Sequence, residues 1–329
     1  MNICIFINSV IPVTKYGGTQ RVMWDLGKEL SNHIGGGKNK VYYLARKGSS
    51  CDFATVIPYD PARSIDEQTP EDIDIIHFNG SALETRKPYI VTYHGNRTPE
   101  TVDMNAVFVS ADHARRHGST SFVYNGLDWD AYGPVDLGAV RTHYHFLGNA
   151  AWRVKNVKGA INVVKALPGE RIKVMGGVRF NFKMGWRFTL TPKARFMGMV
   201  GGTEKTDCLQ HSKGLVFPVT WDEPFGLAII ESLYFGAPVF GTPYGSLPEL
   251  VTPDVGFLTN SQYEMTAHLK NGAAYSPKTC HEYARDKFNS RLMADAYMAK
   301  YETVLNGHTL NDTRPLSSDK YTIRPWIKG

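Results

Sequence analysis

A chain of 329 residues, 42% hydrophobic and 21% charged, is long enough for two ordinary cores and too apolar to be disordered. No apolar run approaches the roughly 20 residues that cross a bilayer, and the opening Met1-Asn2-Ile3-Cys4 stretch lacks the basic flank and cleavage site of a signal peptide. The net charge of +6 suits anionic partners, nucleotide diphosphates or phospholipid surfaces, while no nucleic-acid-reading motif accompanies it. Cys4, Cys51, Cys208 and Cys280 are scattered without C-x-x-C spacing, which points to reduced thiols in a cytoplasmic protein and to no metal knuckle.

Residues 3–7 (Ile-Cys-Ile-Phe-Ile) are a continuous apolar run that predicts a strand buried on both faces. A loop with Tyr16-Gly17-Gly18 follows, then a helix over about 20–30. Strand, glycine loop and helix suit phosphate, although the spacing is not the G-x-G-x-x-G of dinucleotide sites. Gly35-Gly36-Gly37-Lys38 reads as a flexible turn. Strands are expected over 41–45, 73–78, 89–93 and 106–110, and a short helix over 111–117. Two of these strands run into polar residues, His77-Phe78-Asn79 and His94-Gly95-Asn96, at the ends where α/β sheets bind ligands. Asn125-Gly126 suits a tight turn with positive φ. With the crossing that the family resemblance given below implies, the first domain is expected at 1–127, a linker at 128–139 and a second domain at 140–304, with 305–329 expected to pack back on the first. Asp72-Ile73-Asp74 and Asp128-Trp129-Asp130 have metal-site spacing, but one leads into a strand and one lies in the linker, so no metal is assigned.

The second half restarts the βα pattern with a strand over 143–147, a loop over 148–156, a helix from about 157 to 166 and a strand over 171–175. The loop and the start of the helix carry Arg153, Lys155 and Lys158. The segment from Arg179 to Lys193, rich in aromatic and basic residues, is read as an edge hairpin packing its own rings; a membrane-touching or subunit surface stays open. A strand follows over 194–198, a short helix over 205–211 and the strand Lys213-Gly-Leu-Val-Phe-Pro218. Next come the loop to Pro224, a helix opening near Phe225 and Gly226, and Glu231 eight residues beyond Glu223. Were both glutamates helical, the rise between them would be roughly 12 Å, beyond the about 5 to 9.5 Å of a glycosidase pair. Two carboxylates so spaced better grip two parts of one long ligand. The last elements are a short Gly256-Phe-Leu strand, a helix from Ser261 and a long amphipathic helix over 280–304.

The Glu223-x7-Glu231 segment, with Gly241-Thr-Pro-Tyr-Gly-Ser-Leu-Pro-Glu249 behind it, resembles the donor site of glycosyltransferase family 4, the group 1 glycosyl transferases. The resemblance covers about residues 1–305 and is most specific in the second half. It implies an α/β, GT-B fold of two Rossmann-like domains whose parallel sheets face a central cleft. It implies that Glu223 lies by the donor sugar and Glu231 on the ribose hydroxyls. Thr92-Tyr93-His94-Gly95 is similar to the family's histidine motif, which makes His94 a contact for the sugar, and Gly17 and Gly18 would face the diphosphate. Phe122-Val-Tyr-Asn-Gly-Leu-Asp128 resembles the family's V-x-N-G-x-D crossing between domains. Arg153 and Lys158 inherit the diphosphate contacts, with Lys155 sharing them, since arginine and lysine both suit phosphate. The sequence departs from the pattern at Asn149, where arginine commonly follows the glycine. Met199 and Val200 would line the nucleobase pocket, and Pro224, Phe225, Gly226 and Leu227 form the helix start beside the diphosphate, where unpaired N–H groups favour anions.

The implied activity is retaining, metal-independent hexosyl transfer, with no cofactor. The donor is a nucleotide-sugar, UDP favoured and GDP open. The acceptor is a glycan or lipid-linked, in bacterial polysaccharide or lipopolysaccharide synthesis. The protein is expected in the cytoplasm, with peripheral contact at the inner face of the membrane left open and no nucleic acid partner. A nucleotide-sugar 2-epimerase on the same fold and a nonenzymatic nucleotide-sugar binder remain alternatives. A nicotinamide oxidoreductase is disfavoured by the missing glycine fingerprint.

Overall fold

A computed structural model describes residues 1–13, 17–32, 39–182, 186–272, 274–318 and 322–328. The expected turn at 35–38 lies outside the described residues, as do 14–16 and 183–185. The chain forms two compact units: Met1–Val13, Gly17–Trp129 and 288–318 in one, Asp130–Lys287 and 322–328 in the other.

In the first unit, β1 (Asn2–Ile7), β2 (Lys40–Ala45), β3 (Thr55–Pro58), β4 (Ile75–Asn79), β5 (Tyr89–Tyr93) and β6 (Ala106–Phe108) stand in the order β3-β2-β1-β4-β5-β6, all parallel. Helix α1 (Gly18–Asn32) turns Val22, Met23, Leu26 and Leu30 to the core, the stripe expected of an amphipathic helix. Helices α2 (Ile65–Gln68) and α3 (Ala111–Arg116) are short. Strand β3 was not foreseen: it is four residues long, half-exposed at the sheet edge and ends in proline, a residue that an edge strand tolerates and a central one does not.

The second unit repeats the plan. Strand β7 (His143–Leu147) leads through α4 (Val157–Lys165) to β8 (Ile172–Met175). A two-residue antiparallel hairpin, β9 (Phe180–Asn181) and β10 (Arg187–Phe188), precedes β11 (Ala194–Gly198), α5 (Gly202–Gln210) and β12 (Ser212–Phe217). Then come α6 (Leu227–Tyr234), β13 (Val239–Gly241), α7 (Leu247–Leu250), β14 (Gly256–Leu258), α8 (Gln262–Lys270) and α9 (Pro277–Lys287). The main sheet runs β11-β8-β7-β12-β13-β14, parallel throughout. Both sheets therefore have the doubly wound order, whose strand direction of growth reverses at β1/β4 and at β7/β12; ligands of such sheets sit outside the strand ends at that reversal.

The C-terminal region divides otherwise than the sequence suggests. The single helix expected over 280–304 is two, α9 and α10 (Ser290–Leu305), because buried Phe288 and extended Asn289 interrupt it and the Asn289 side chain caps α10 at Leu292 N. Helix α10 belongs to the first unit, not to a second domain running to 304. Its fully buried Tyr301 and Tyr297 explain this: the Tyr301 hydroxyl is 2.8 Å from His77 Nδ1, and the Tyr297 hydroxyl is 3.0 Å from Thr92 Oγ1. The tail also splits. Residues through Ser318 stay on the first unit, through bonds such as Asn311 Nδ2 to Ala106 O (3.0 Å) and Ser318 N to Thr98 Oγ1 (2.8 Å), while 322–328 join the second. Gly126 does not take the positive φ its Asn-Gly setting suggests. It is required because a Cβ there would stand 2.1 Å from the Asn289 carbonyl oxygen.

Candidate active site

The reversal between β7 and β12 brings two loops together. After β12 the chain runs Pro218 to Glu223; after β7 it runs Gly148 to Asn156. A backbone bond from Thr220 N to Val154 O (2.8 Å) joins them, and Trp152 meets Trp221 edge-on at 6.2 Å between centroids. Asn156, in left-handed conformation at φ 51°, links the same parts: its amide oxygen caps α4 at Gly159 N and its amide nitrogen donates 2.8 Å to Pro218 O.

Glu223 lies at the centre. Its carboxylate, 5% exposed, takes two hydrogen bonds from Lys155 Nζ (2.8 and 2.6 Å) and one from Trp221 Nε1 (2.8 Å). The Lys155 ammonium also sits 4.9 Å from the Trp221 ring and 5.4 Å from that of Phe217, so aromatic faces and a carboxylate share one cation. The backbone of Glu223 is held by the Gly241–Glu249 segment: it bridges Gly245 and accepts from Ser246 N at 2.9 Å. Gly245 has φ 63°, and a Cβ would fall 2.2 Å from Glu223 N, so only glycine lets the two loops meet. Thr242 Oγ1 donates to Val219 O (2.7 Å) and Ser246 Oγ to Phe225 O (2.7 Å). From the tail, Arg324 grips Asp222 with Nε (2.9 Å) and Nη2 (2.9 Å), and its N–H donates 2.8 Å to Thr220 O.

Glu223 precedes helix α6, whose cap Gly226 (φ 89°) supplies no side-chain acceptor. Ile229 N donates to Gly226 O at 2.9 Å, while the N–H groups of Leu227 and Ala228 have no side-chain cap and can face a ligand or water. Of the residues expected at this helix start, Gly226 and Leu227 are half-buried, while Pro224 and Phe225 are buried and offer backbone alone. Glu231, inside α6, stands in a separate cluster: Oε1 accepts from Lys205 Nζ and from the Tyr132 hydroxyl, each at 2.5 Å. The two glutamates share no partner among these bonds.

The basic loop is sorted by the fold. Lys155 reaches Glu223, whereas Arg153 and Lys158 are exposed. Beyond β11, Met199 is 41% exposed and Val200 half-buried. In the first unit Gly17 packs where a Cβ would meet Gln20 Oε1 at 2.8 Å, and Gly18 opens α1. His94, following β5, holds Asn79 Oδ1 at 2.8 Å through Nε2, and burial lowers its pKa to about 4. It is a neutral hydrogen-bonding ring at pH 7. His77 is a core hydrogen bonder between Tyr301 and Thr92, with its pKa lowered to about 3 by burial. Asp74 and Asp72 hold the N–H and the amide of Asn2, and Asp128 pairs with Lys28 at 2.6 Å. Trp221, Asn156, Asp222, Lys205, Tyr132 and Arg324 escaped sequence reading. Only Trp221 and Asp222 carried a local signal, their place beside Glu223.

Residues 144–285 match the family model of glycosyl transferases group 1. This stretch is a group 1 glycosyl transferase region. The group 1 region thus contains Glu223, Lys155 and Glu231, the whole of the two carboxylate clusters except Tyr132. Solved structures share the fold of the chain: AviGT4, a glycosyltransferase involved in avilamycin A biosynthesis, has a TM-score of 0.75 at 18% identity over 94% of this chain and 99% of its own. A sucrose-phosphate synthase from Thermosynechococcus elongatus gives 0.69 at 15% identity, covering 93% and 99%. HepE of Anabaena, solved with UDP and glucose, gives 0.64 at 15%, covering 92% and 100%. The fold is GT-B. An uncharacterized 41.2 kDa protein in the cps region of Klebsiella pneumoniae is 27% identical over 115 residues, 33% of this chain; the match spans about a third (32%) of that relative. No helix among the described residues is long and apolar enough to cross a membrane.

Proposed function

We propose that the protein transfers a hexosyl group from a nucleotide diphosphate sugar, UDP-sugar foremost, to a glycan or lipid-linked acceptor with retention of configuration and without a metal ion. One observation carries this reading: within a group 1 region, buried Glu223 is fixed by Lys155 and Trp221 directly before a helix start that lacks a side-chain cap. HepE, a protein of the same fold solved with UDP and glucose, supports UDP as the nucleotide.

In the step itself, an acceptor hydroxyl oxygen bonds the anomeric carbon as the bond from that carbon to the diphosphate oxygen breaks. The electron pair leaves with the diphosphate, and the hydroxyl proton passes to it. The developing negative charge needs preorganised donors. The first N–H groups of α6, at Leu227 and Ala228, and the exposed cations Arg153 and Lys158 supply them, and Lys155 adds its charge while orienting Glu223 toward the sugar. Glu231, held by Lys205 and Tyr132, takes the ribose hydroxyls. Met199 and Val200 flank the base. In the first unit, His94, Gly17 and Gly18 keep the roles implied by the resemblance. A polysaccharide or lipopolysaccharide pathway and a peripheral contact with a membrane surface belong to the same reading.

The test is a thermal-shift panel of UDP, GDP, ADP and their sugars, followed by nucleotide release with and without acceptor glycans. A ligand specific to the folded state raises stability as ln(1 + [L]/Kd). Stabilisation by UDP species, and UDP release that rises on adding acceptor and survives EDTA, are the expected results. Absence of any nucleotide shift overturns the reading. Turnover of donor that ignores acceptor indicates an isomerase instead, and loss of release in EDTA overturns metal independence.

A further inference from the structure

The β9–β10 hairpin is built unlike the rest of the second unit. Phe182, Trp186 and Phe188 are 63%, 78% and 54% exposed, and neighbouring Leu190 is 82% exposed. The rings pack on one another, with centroids 5.7 Å apart for Phe182–Phe188 and 6.2 Å for Phe182–Trp186, and so cover little of their own surface. The base of the hairpin is anchored. Arg179 donates to Thr189 O (2.8 Å), Thr191 O (3.0 Å) and Ala194 O (2.6 Å), and the Arg187 guanidinium lies 4.9 Å from the Phe196 ring. An aromatic cluster presented outward in this way marks an interaction surface rather than a core.

Beside it, along the edge strand β11, lies a cavity of about 670 Å³ whose described lining contains Arg171, Lys173, Arg179, Lys193 and Arg195 and no carboxylate. The register sets Arg195 directly against Lys173. Arg179 and Lys193 spend their hydrogen bonds on neutral carbonyls, Lys193 Nζ on Lys165 O and Leu167 O, so their charge is not neutralised. Arg171, Lys173 and Arg195 have no salt-bridge partner among the described residues. Glu204 and Asp207 of α5 act on neighbouring Cys208 but do not line the cavity. Like charges are therefore gathered at one edge strand, next to exposed aromatic rings. The cavity shares no residue with the Glu223 or Glu231 clusters.

We propose that the outward rings Phe182, Trp186 and Phe188, together with the cationic cavity beside them, form one docking surface for an anionic phospholipid bilayer, the rings entering the interfacial layer and the cations meeting headgroup phosphates. The inference rests on the membrane-side acceptor reading above and names the surface that reading lacks. Tryptophan and its aromatic neighbours suit the bilayer interface, and basic side chains beside them add electrostatic attraction to anionic lipid. A second copy of the chain is disfavoured, because a symmetric contact through this face would set cations against cations. A free nucleotide would leave the outward rings without a role.

The experiment is co-sedimentation of the full-length protein with vesicles of phosphatidylcholine alone and of phosphatidylcholine mixed with phosphatidylglycerol. It uses wild type, Phe182→Ser/Trp186→Ser, and Lys173→Gln/Arg195→Gln, with UDP-induced thermal shift measured in parallel. All four substituted positions are half-buried or exposed, so the variants should fold. The proposal expects sedimentation with the mixed vesicles only, reversed by salt, and weakened on the order of tenfold in each double variant while the UDP shift is unchanged. Failure of wild type to sediment with mixed vesicles overturns the docking surface, even where UDP still stabilises the protein; loss of the UDP shift alone overturns the donor reading instead. Sedimentation of both variants like wild type, or light scattering that reveals an aromatic-dependent dimer in place of lipid binding, also overturns it.

Discussion

Glu223 and Glu231 are both buried, and each accepts from a lysine ammonium, yet the two pairs are built from different parts of the chain. Lys155 reaches Glu223 from the loop after β7, with Trp221 and Phe217 under its charge. Lys205 reaches Glu231 from helix to helix, α5 to α6, with side chains 7% and 5% exposed. The first pair joins two loops outside the strand ends, where ligands of doubly wound sheets sit. The second is part of the packing that seats α6 on its unit. One glutamate is therefore expected to matter chiefly for activity, the other for stability as well.

Breaking the second pair should have the largest effect. Lys205→Ala or Glu231→Ala leaves one charge buried without its partner, a change worth about 3–5 kcal/mol in comparable settings. Urea denaturation is expected to register a loss of that order. Lys205→Met with Glu231→Leu should recover most of it, since a well-packed apolar pair avoids the desolvation of two ions, yet still lack the UDP-induced shift. Recovery of stability together with a full UDP shift would remove Glu231 from the ribose. Nucleotide shifts in Glu231→Ala must accordingly be read against the lowered melting temperature of that variant.

Glu223→Gln should reverse the pattern. The amide keeps shape and a hydrogen-bond acceptor for Trp221 Nε1, so unfolding is expected to change by only about 1–3 kcal/mol. Transfer should fall by at least about 100-fold, the scale on which active-site electrostatic groups act. Single-turnover assays at saturating donor check this; a variant with near-normal kcat would dissociate the Lys155–Glu223 pair from the chemistry.

A pH series tests both units together. In the first, burial holds His77 near pKa 3 and His94 near 4; in the second, it holds His145 near 3 and His143 near 4. An unfolded histidine titrates near 6.5. Between about pH 6.5 and 4 the unfolded chain therefore binds more protons than the folded one, and stability is expected to drop as the pH falls through that window. Asp25 opposes this: desolvation raises it from 3.8 to about 7, so its contribution is present below about pH 4 and is lost as the pH rises to about 7. Asp25→Asn should raise the melting temperature at pH 8 and leave it nearly unchanged at pH 4. An equal change at both values would contradict this assignment.

The same two glutamates mark how far the sequence could be read. Continuous apolar strands such as Ile3–Ile7 and β12, with helices between them, made both doubly wound units legible, because each strand's burial is written in its own residues. Glu223 stood out through its neighbours Pro224, Phe225 and Gly226. Its clamp at Gly245 was visible as a motif whose geometry the sequence did not supply. Lys205 and Tyr132 carried no signal, since they lie 26 and 99 residues from Glu231 and tertiary packing alone brings them together. The split between α9 and α10 was hidden for a related reason: the amphipathic period runs through Phe288 and Asn289, and only the capping of α10 and the Gly126 approach show where the chain breaks.

The smallest expected effect tests the tail. Arg324 approaches Asp222 with two donors and Thr220 with its backbone, while Tyr244 donates to Pro325 O at 2.8 Å and Ile327 N to Asn260 O at 2.8 Å. Residues 322–328 therefore brace the loop that carries Glu223 without touching its carboxylate in these bonds. The Arg324 side chain is 40% exposed, so solvent screens the ion pair and Arg324→Ala should cost at most about 1 kcal/mol of stability. If the brace positions Glu223, kcat should fall severalfold with KM for donor little changed, because misplacement near the reacting atoms weighs on the transition state more than on binding. Arg324→Lys, which keeps the charge but cannot reproduce the planar two-donor grip, should recover only part of that loss. An unchanged kcat in Arg324→Ala would make the tail a structural strap alone and leave Trp221, Lys155 and Gly245 as sufficient to place Glu223.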